Sequence, residues 1–332
     1  MKKIAVLGAG SWGTALSVHL GRLDHDVRLW ARDGALVDEM RANRVNDVYL
    51  PGVILPETVS ITQHVADAVA GRDLIVSAIP SHGCRVVIRE AARHATASAV
   101  LVSATKGLEA DTLLRMSQVI EQEVGPARPV VVLSGPSFAV EVARQLPTAI
   151  LAASCNAAAT ELVQSEFRGP YFRLYGSDDV VGVEIGGAMK NIIAIAAGVV
   201  QGLGLGHNAL SALITRGLAE VSRLACAAGA RRETLAGLSG LGDLVLTCTG
   251  EASRNRRVGL GLAAGRPLDA ILASLGHVAE GVDAARAARS LARKHGIEMP
   301  ITEAVASVLD GMTPVRDAVE GLLRREPKAD ER

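Results

Sequence analysis

The chain of 332 residues has few aromatic residues, few cysteines and no net charge, and each shortage excludes a class of protein. Phe, Trp and Tyr together make up 2% of the sequence, which argues against a surface for stacking nucleic-acid bases. Lys+Arg and Asp+Glu both number 35, so neither a nucleic acid nor an anionic membrane is expected as the main partner. The four cysteines lie far apart in no metal-binding or redox spacing, which indicates reduced core thiols of a cytoplasmic protein.

The sequence also lacks a convincing signal peptide or membrane span. Glycines interrupt the apolar run that follows Met1, and no small-residue cleavage site precedes Arg22. A second apolar stretch, around Lys190, is interrupted by Gly, Asn and Gln. We therefore expect no membrane insertion.

Short β-branched runs alternate with helical patterns in the first half of the chain, which predicts an open, doubly wound sheet of Rossmann type. After about residue 180 only helical patterns remain. The prediction is an α/β protein with a dinucleotide-binding domain (1–179), an all-helical substrate and catalytic domain (180–325) and a frayed tail (326–332). The predicted strands are residues 4–7, 27–30, 73–79, 99–103, 130–133, 149–152 and 172–174. The clearest later helices are residues 209–228, 282–295 and 301–309.

A glycine fingerprint follows the first predicted strand and opens a helix. Gly8 permits a tight turn, Gly10 lets the backbone approach a pyrophosphate, and Gly13 lets helix and strand pack closely. The helix N-terminus would add amide donors for the anion. This pattern predicts dinucleotide binding.

Ribose recognition is expected at the end of the second strand. Arg32 is suited to a 2′-phosphate and Asp33 to a 2′-hydroxyl, so the sequence leaves NAD and NADP both open. The pair is also compatible with a solvated turn.

Lys190 is the only formally charged residue between positions 185 and 215. Burying an ammonium among apolar residues costs several kcal/mol unless it is paired or gives up its proton. On a helix, Gly186 and Gly187 would lie one turn back and leave open space where a ligand could approach. The structural alternative is a lysine whose amine extends to the surface.

Polar motifs elsewhere carry weaker signals. Lys106-Gly107 and Gly135–Ala139 follow predicted strands, at the sheet edge where open α/β folds bind ligands, although each also suits an ordinary turn. Asp243 lies between two glycines and a leucine-rich run, and it suits either a lysine partner or a helix cap. The Ser253–Arg257 stretch suits a phosphate site, a solvated turn or a nucleic-acid patch.

These motifs together resemble bacterial NAD(P)-dependent glycerol-3-phosphate dehydrogenase from Lys3 to about Lys328. The matching blocks are Gly-Ala-Gly-Ser-Trp-Gly-Thr-Ala at 8–15, Leu-Pro-Gly-Val at 50–53, Pro-Ser-His-Gly at 80–83, Thr-Lys-Gly-Leu-Glu at 105–109, Leu-Ser-Gly-Pro-Ser-Phe-Ala at 133–139, Lys-Asn at 190–191, Ala-Leu-Ile-Thr-Arg-Gly at 212–217, Gly-Leu-Gly-Asp-Leu-Val-Leu-Thr-Cys-Thr at 240–249, Ser-Arg-Asn-Arg-Arg at 253–257, Val-Ala-Glu-Gly at 278–281 and Glu-Met-Pro-Ile-Thr at 298–302.

The resemblance implies reversible reduction of dihydroxyacetone phosphate to sn-glycerol 3-phosphate with NAD or NADP, supplying glycerophospholipid synthesis. No metal is expected, because the Lys190 ammonium can itself polarise the carbonyl. Exposed apolar faces of the predicted helices favour a homodimer. The resemblance implies that Lys190 is the general acid/base and that Asp243 and Lys106 assist it. The implied substrate contacts are Lys106, Gly135, Ser137, Lys190, Asp243, Ser253, Arg254 and Asn255. The implied cofactor contacts are Gly8, Gly10, Ser11, Trp12, Gly13, Arg32, Lys106, Ala139, Arg254, Val278 and Glu280.

Two rivals stay open at this point. One is another two-domain dehydrogenase, for example one that acts on ketopantoate or 6-phosphogluconate. The other is a non-catalytic cofactor sensor that binds nucleic acid through residues 253–257.

Overall fold

The computed structural model describes residues 1–276 and 279–326. The chain forms two compact units, one made of Met1–Thr105 with Met116–Val180 and the other of Lys106–Arg115 with the chain from Val181 onward. The predicted boundary at residue 179 lies next to this division. The sequence interpretation, however, assigned residues 106–115 to the first domain, whereas the structure groups them with the second unit.

The first unit is built on an eight-stranded sheet in the order β10-β9-β8-β7-β6-β1-β2-β5. All neighbouring strands are parallel except β8 and β9, which pair antiparallel. A separate antiparallel pair joins β3 and β4. The strands are β1 (Lys3–Leu7), β2 (Asp26–Trp30), β3 (Val45–Asn46), β4 (Leu50–Ile54), β5 (Val59–Thr62), β6 (Leu74–Ser77), β7 (Val100–Ser103), β8 (Val130–Ser134), β9 (Thr148–Ala153) and β10 (Phe172–Ser177).

Helices connect these strands and cover the sheet. They are α1 (Ser11–Arg22), α2 (Gly34–Asn43), α3 (Val65–Val69), α4 (Ser81–His94), α5 (Met116–Val124), α6 (Ala139–Ala143) and α7 (Ala157–Phe167). Every residue of β6, β7 and β8 is buried, as expected of strands that are covered on both faces. This confirms the predicted doubly wound sheet followed by a helical domain.

The sequence interpretation missed three strands and one strand direction. β3 has only two residues, and Pro, Gly or polar residues interrupt the apolar residues of β4 (Leu-Pro-Gly-Val-Ile) and of the edge strand β5 (Val-Ser-Ile-Thr), so none shows the unbroken apolar run of a central strand. The antiparallel direction of β9 was also not foreseen. It depends on where the chain enters the sheet after α6, which apolar content does not reveal.

Within its described residues, the second unit is helical. Its elements are α8 (Val180–Gly202), α9 (Gly206–Ala227), α10 (Arg232–Leu235), a π-helical turn (Leu238–Gly242), α11 (Asp243–Thr249), α12 (Arg254–Ala263), α13 (Leu268–Leu275), α14 (Glu280–His295), α15 (Pro300–Leu309) and α16 (Val315–Leu323). Among the described residues α8 alone is long and apolar enough to cross a membrane, but 89% of its apolar window is buried inside the protein. It is the central helix of the second core.

Candidate functional site

The glycine fingerprint of the first unit forms a cradle that fits a dinucleotide. Gly8 has a φ of +112°, and a Cβ there would lie 2.6 Å from the Ala78 carbonyl oxygen. A Cβ on Gly13 would lie 1.8 Å from the Gly8 carbonyl oxygen, whereas nothing lies within 4 Å of a Cβ on Gly10. The space in front of Gly10 is therefore open, and side chains at the other two positions would destroy the turn.

The amide end of α1 is available to an anion. The helix begins at Ser11, followed by Trp12, and no side chain caps it. Its first turn contains no acidic residue that would neutralise the positive pole of the helix. Its strand, β1, lies between β2 and β6, at the point where the strand order reverses, which is where open α/β sheets bind ligands. Cradle and helix end together fit the pyrophosphate of NAD or NADP.

The two charged residues that follow β2, Arg32 and Asp33, have different surroundings. The Asp33 side chain accepts a hydrogen bond of 2.9 Å from the Ala35 amide and thereby caps α2. Arg32 is exposed, and within the described residues its guanidinium makes no hydrogen bond or ion pair. The structure thus leaves Arg32 available to a phosphate, while one Asp33 oxygen holds a helix end.

The loop after β8 is a turn that requires glycine. Gly135 has a φ of +144°, and a Cβ there would lie 2.9 Å from the Ile150 Cα atom. The Ser137 hydroxyl donates to the Gly135 carbonyl oxygen at 3.0 Å, and Ala139 begins α6. Gly135 and Ser137 therefore lie in one turn of the first unit, which leads directly into Ala139 and α6.

The second unit gathers two lysines around one buried carboxylate. Lys190 is 8% exposed and Asp243 is 1% exposed, so this is an interior cluster. The Lys190 ammonium donates to Asp243 Oδ1 and, at 2.9 Å, to the Thr247 hydroxyl. Lys106 Nζ donates to the other carboxylate oxygen, Oδ2, at 2.6 Å. The predicted partners Lys106, Lys190 and Asp243 are therefore in direct contact.

Burial makes Lys190 a proton donor that is poised near neutral pH. The Lys190 pKa is lowered to about 8: loss of solvent lowers it most, the Asp243 charge partly opposes this, and the Lys106 charge lowers it further. The neighbouring Cys248 thiol is also buried, which raises its pKa to about 12 and keeps it neutral. The cluster carries two potential positive charges and one negative charge, so it favours an anionic ligand.

The backbone fills the space that the sequence predicted to be open beside Lys190. A Cβ on Gly186 would lie 2.9 Å from the Ser239 carbonyl oxygen, which belongs to the π-helical turn. Gly186 therefore admits a protein backbone and not a ligand, and that expectation was wrong at this position. The close packing brings the turn against α8 immediately before Asp243, at the start of α11.

The stretch after α11 is a helix start and not an exposed basic patch. The Ser253 hydroxyl caps α12 by accepting from the Arg256 amide at 3.2 Å. Asn255 and Arg256 are buried, at 8% and 9% exposure. Arg254 is half-buried and makes no hydrogen bond or ion pair among the described residues. A buried arginine inside the motif argues against continuous contact with a nucleic acid.

Asn255 connects α12 to two other helices of the second unit. Its side-chain amide donates to Asn191 Oδ1 at 2.9 Å, and its oxygen accepts from the Gly281 amide at 3.0 Å. Glu280, an expected cofactor contact, is the first residue of α14. Val278 lies outside the described residues.

Two polar residues of this cluster were not among the expected contacts. Thr247 lies one helical turn after Asp243, and this i, i+4 spacing is a usable signal for a shared face. Asn191 follows Lys190 directly and contacts Asn255. Its place became evident only from the neighbouring helix.

Comparison with known proteins agrees with both units. A family model described as the NAD-dependent glycerol-3-phosphate dehydrogenase N-terminus matches residues 3–160, and the corresponding C-terminus model matches residues 179–320. The chain is 52% identical over 331 residues to the glycerol-3-phosphate dehydrogenase [NAD(P)+] of Geobacter sulfurreducens, covering 99% of each chain. It is 51% identical over 329 residues to that of Koribacter versatilis, covering 98% of each.

A solved structure shows the same likeness in three dimensions. The chain superposes on glycerol-3-phosphate dehydrogenase from Coxiella burnetii with a TM-score of 0.94 at 43% identity, covering 98% of this chain and 99% of the other. Since both halves match the family models and the relatives match over their full length, the chain belongs to the family of NAD(P)-dependent glycerol-3-phosphate dehydrogenases and is an oxidoreductase of that activity.

Proposed function

We propose that this enzyme reduces dihydroxyacetone phosphate to sn-glycerol 3-phosphate reversibly, with Lys190 as the general acid and base. The observation that carries the proposal is the buried Lys190 ammonium, held between Asp243 and Thr247 with its pKa lowered to about 8. General acid–base catalysis is most effective when the pKa of the group is close to the operating pH. An ordinary exposed lysine has a pKa of about 10.4 and does not meet that condition.

The proton balance assigns one step to Lys190 in each direction. A nicotinamide cofactor, when bound, would supply the hydride that C2 gains in reduction and take it up in oxidation. In reduction, the Lys190 ammonium polarises the C2 carbonyl and donates its proton to the oxygen, then regains a proton from solvent. In oxidation, the neutral amine takes the C2 hydroxyl proton. Asp243 orients the amine, and the Lys106 ammonium stabilises negative charge that develops on the oxygen.

We assign substrate binding mainly to groups of the second unit. In the second unit, Arg254 has no partner among the described residues and lies in the first turn of α12, which suits a phosphate. Ser253 and Asn255 flank it, and Lys106, Lys190 and Asp243 hold the carbonyl end. The family resemblance adds Gly135 and Ser137, which lie in the turn after β8. Phosphate binding far from C2 would align the reacting atoms.

We assign the cofactor mainly to the first unit. The glycine cradle and the amide end of α1 would hold the pyrophosphate, and Arg32 would hold a 2′-phosphate. NADP is then accepted as well as NAD. The family resemblance adds Lys106, Ala139, Arg254, Val278 and Glu280 as cofactor contacts.

Four further points are part of the proposal. The two ammonium groups supply the polarisation that a metal ion would otherwise provide, so the reaction runs without metal. The product supplies glycerophospholipid synthesis, of which glycerol 3-phosphate is the backbone. The enzyme acts in the cytoplasm, and as a homodimer. The metal-free reaction follows from the chemistry, the phospholipid role from the family resemblance, the cytoplasmic location from the widely spaced cysteines, and the homodimer from exposed apolar helix faces.

The test is turnover by a lysine variant. Lys190→Met is expected to keep the fold and cofactor binding while lowering turnover by at least ~100-fold, measured as NADH or NADPH absorbance with dihydroxyacetone phosphate. Lys294→Met, which removes an exposed lysine of α14, is the matched control and should turn over normally. Near-normal turnover by the Lys190 variant would refute the assignment.

A further inference from the structure

The segment Lys106–Arg115 forms a closed loop that belongs to the second unit although its flanks belong to the first. An antiparallel bridge joins Leu108 to Arg115 at its base. Inside the loop the Glu109 amide donates to the Leu114 carbonyl oxygen at 2.9 Å, and the Leu113 amide donates back to Glu109 at 2.8 Å. The loop therefore has an internal structure of its own, and Lys106 lies two residues before its base.

Two contacts hold the base of this loop in the second unit. Leu108 is 5% exposed and packs in the second core. Arg115 forms an ion pair with Glu184, and their side chains are only 18% and 4% exposed. Glu184 lies on α8, six residues before Lys190, so one helix carries both the acid/base lysine and the anchor of the loop that presents the other lysine.

We propose that Arg115 and Glu184 are positioning residues, whose ion pair fixes the loop base so that the Lys106 ammonium stays on Asp243. This inference rests on the proposed function, in which Lys106, Lys190 and Asp243 act together. The apolar contact of Leu108 does not by itself fix the orientation of the loop. A guanidinium–carboxylate pair fixes both the distance and the orientation of the two side chains that form it. The ion pair thereby fixes the position of the Lys106 ammonium, because Lys106 lies two residues before the Leu108–Arg115 bridge.

A purely stabilising role explains the pair less well. A buried ion pair is often no more stabilising than apolar side chains of similar volume, because both charges lose their hydration. A variant that replaces both partners with apolar residues removes both charges of the pair together, so we expect it to keep the fold. It removes the directional contact between the two side chains.

Displacement of Lys106 should change the pH dependence of the rate, whereas a loss of stability should not. The groups that contact or act on the Lys190 amine are the Asp243 carboxylate, the Lys106 ammonium, the Thr247 hydroxyl and the neutral Cys248 thiol. If the Lys106 charge moves away, its lowering influence on Lys190 disappears and the Lys190 pKa rises. The pH at which reduction falls to half then moves upward, whereas a smaller folded fraction scales the rate equally at every pH.

The experiment is the pH profile of kcat/KM for reduction of dihydroxyacetone phosphate by the double variant Arg115→Met/Glu184→Leu. We expect kcat/KM to fall about tenfold or more through misplacement of Lys106. We expect the alkaline midpoint to rise by about half a pH unit or more through loss of a nearby unit charge. Arg115→Lys keeps the cation and should hold the midpoint at the wild-type value.

Two controls separate the outcomes. Arg289→Met/Asp310→Leu removes another partly buried ion pair of the second unit and should leave the midpoint in place. Lys190→Met tests the proposed function, and full activity there refutes that function whatever the loop variant does. If Lys190→Met is inactive but the loop double variant keeps the wild-type midpoint, the positioning role is wrong, whether its rate is lower or unchanged.

Discussion

Removing the charge of Asp243 without changing its size should shift the pH profile of the enzyme to lower pH. Asp243 contacts Lys190 through Oδ1 and Lys106 through Oδ2, and it is the carboxylate that raises the Lys190 pKa. In Asp243→Asn, Lys190 keeps its burial and the Lys106 charge but loses its counter-charge. Both remaining influences lower the pKa.

The magnitude follows from Coulomb's law and the contact distance. Two unit charges about 4 Å apart at an effective dielectric constant of about 20 interact by ~4 kcal/mol, which corresponds to roughly three pKa units. Lys190, with its pKa about 8, is mostly protonated at neutral pH. A fall of two to three units leaves roughly 1–10% protonated at pH 7, so reduction should slow by about 10- to 100-fold there.

The assay is NADPH oxidation with dihydroxyacetone phosphate over a range of pH. The alkaline limb of the wild-type profile reports loss of the Lys190 proton, and in Asp243→Asn its midpoint should move to lower pH. Asp310→Asn is the matched control, because Asp310 also lies between two cations, Arg286 and Arg289, and should leave the midpoint unchanged. A midpoint in Asp243→Asn that stays in place or rises would show that Asp243 does not set the Lys190 charge.

The remaining predictions concern the turn, a helix cap, the cofactor and metals. Gly240→Ala should lower kcat at least ~10-fold, because its Cβ would lie 2.0 Å from the Leu235 carbonyl oxygen and displace the turn before the carboxylate; Gly321→Ala, in open space, should be neutral. Glu220 accepts from two amides of the first turn of α15, so Glu220→Ala should lower the free energy of unfolding by about 2 kcal/mol, measured by urea denaturation. Burial raises the Glu220 pKa, so the folded state holds this proton more tightly; its stabilising contribution is complete at low pH and declines as pH rises through the raised pKa, a dependence absent from the variant. Arg32→Ala should raise KM for NADPH about tenfold and leave KM for NADH unchanged; equal effects on both would contradict its phosphate role. Prolonged treatment with a chelator should leave turnover unchanged, and loss that a divalent ion restores would exclude the lysine-only mechanism.

Local sequence patterns account for most of the first unit. Apolar runs of strand length identified the buried central strands, and the spacing of Gly8, Gly10 and Gly13 identified the turn into α1. Both depend on neighbours within a few residues. β4 and β5 were missed because Pro, Gly or polar residues interrupt their apolar residues, and β3 because it has only two residues.

The partners of Lys190 in the polar cluster could not be identified from local sequence patterns. Composition marked Lys190 as anomalous, since an unpaired buried ammonium is costly, and so indicated that a partner must exist. It did not identify the partner. The family resemblance supplied Asp243 and Lys106, and it gave no reason why they lie together. The open space expected at Gly186 was wrong, because the backbone of the π-helical turn occupies it.

The sequence by itself determined the class of fold, the dinucleotide fingerprint and the need to neutralise a buried lysine. The tertiary structure alone decided which groups do so. Lys190 meets Asp243 across 53 residues, and Lys106 meets it across 137. It also decided that Arg115 pairs with Glu184, 69 residues away. Such contacts depend on how helices pack in space, and no periodicity along the chain records a distance between segments that far apart.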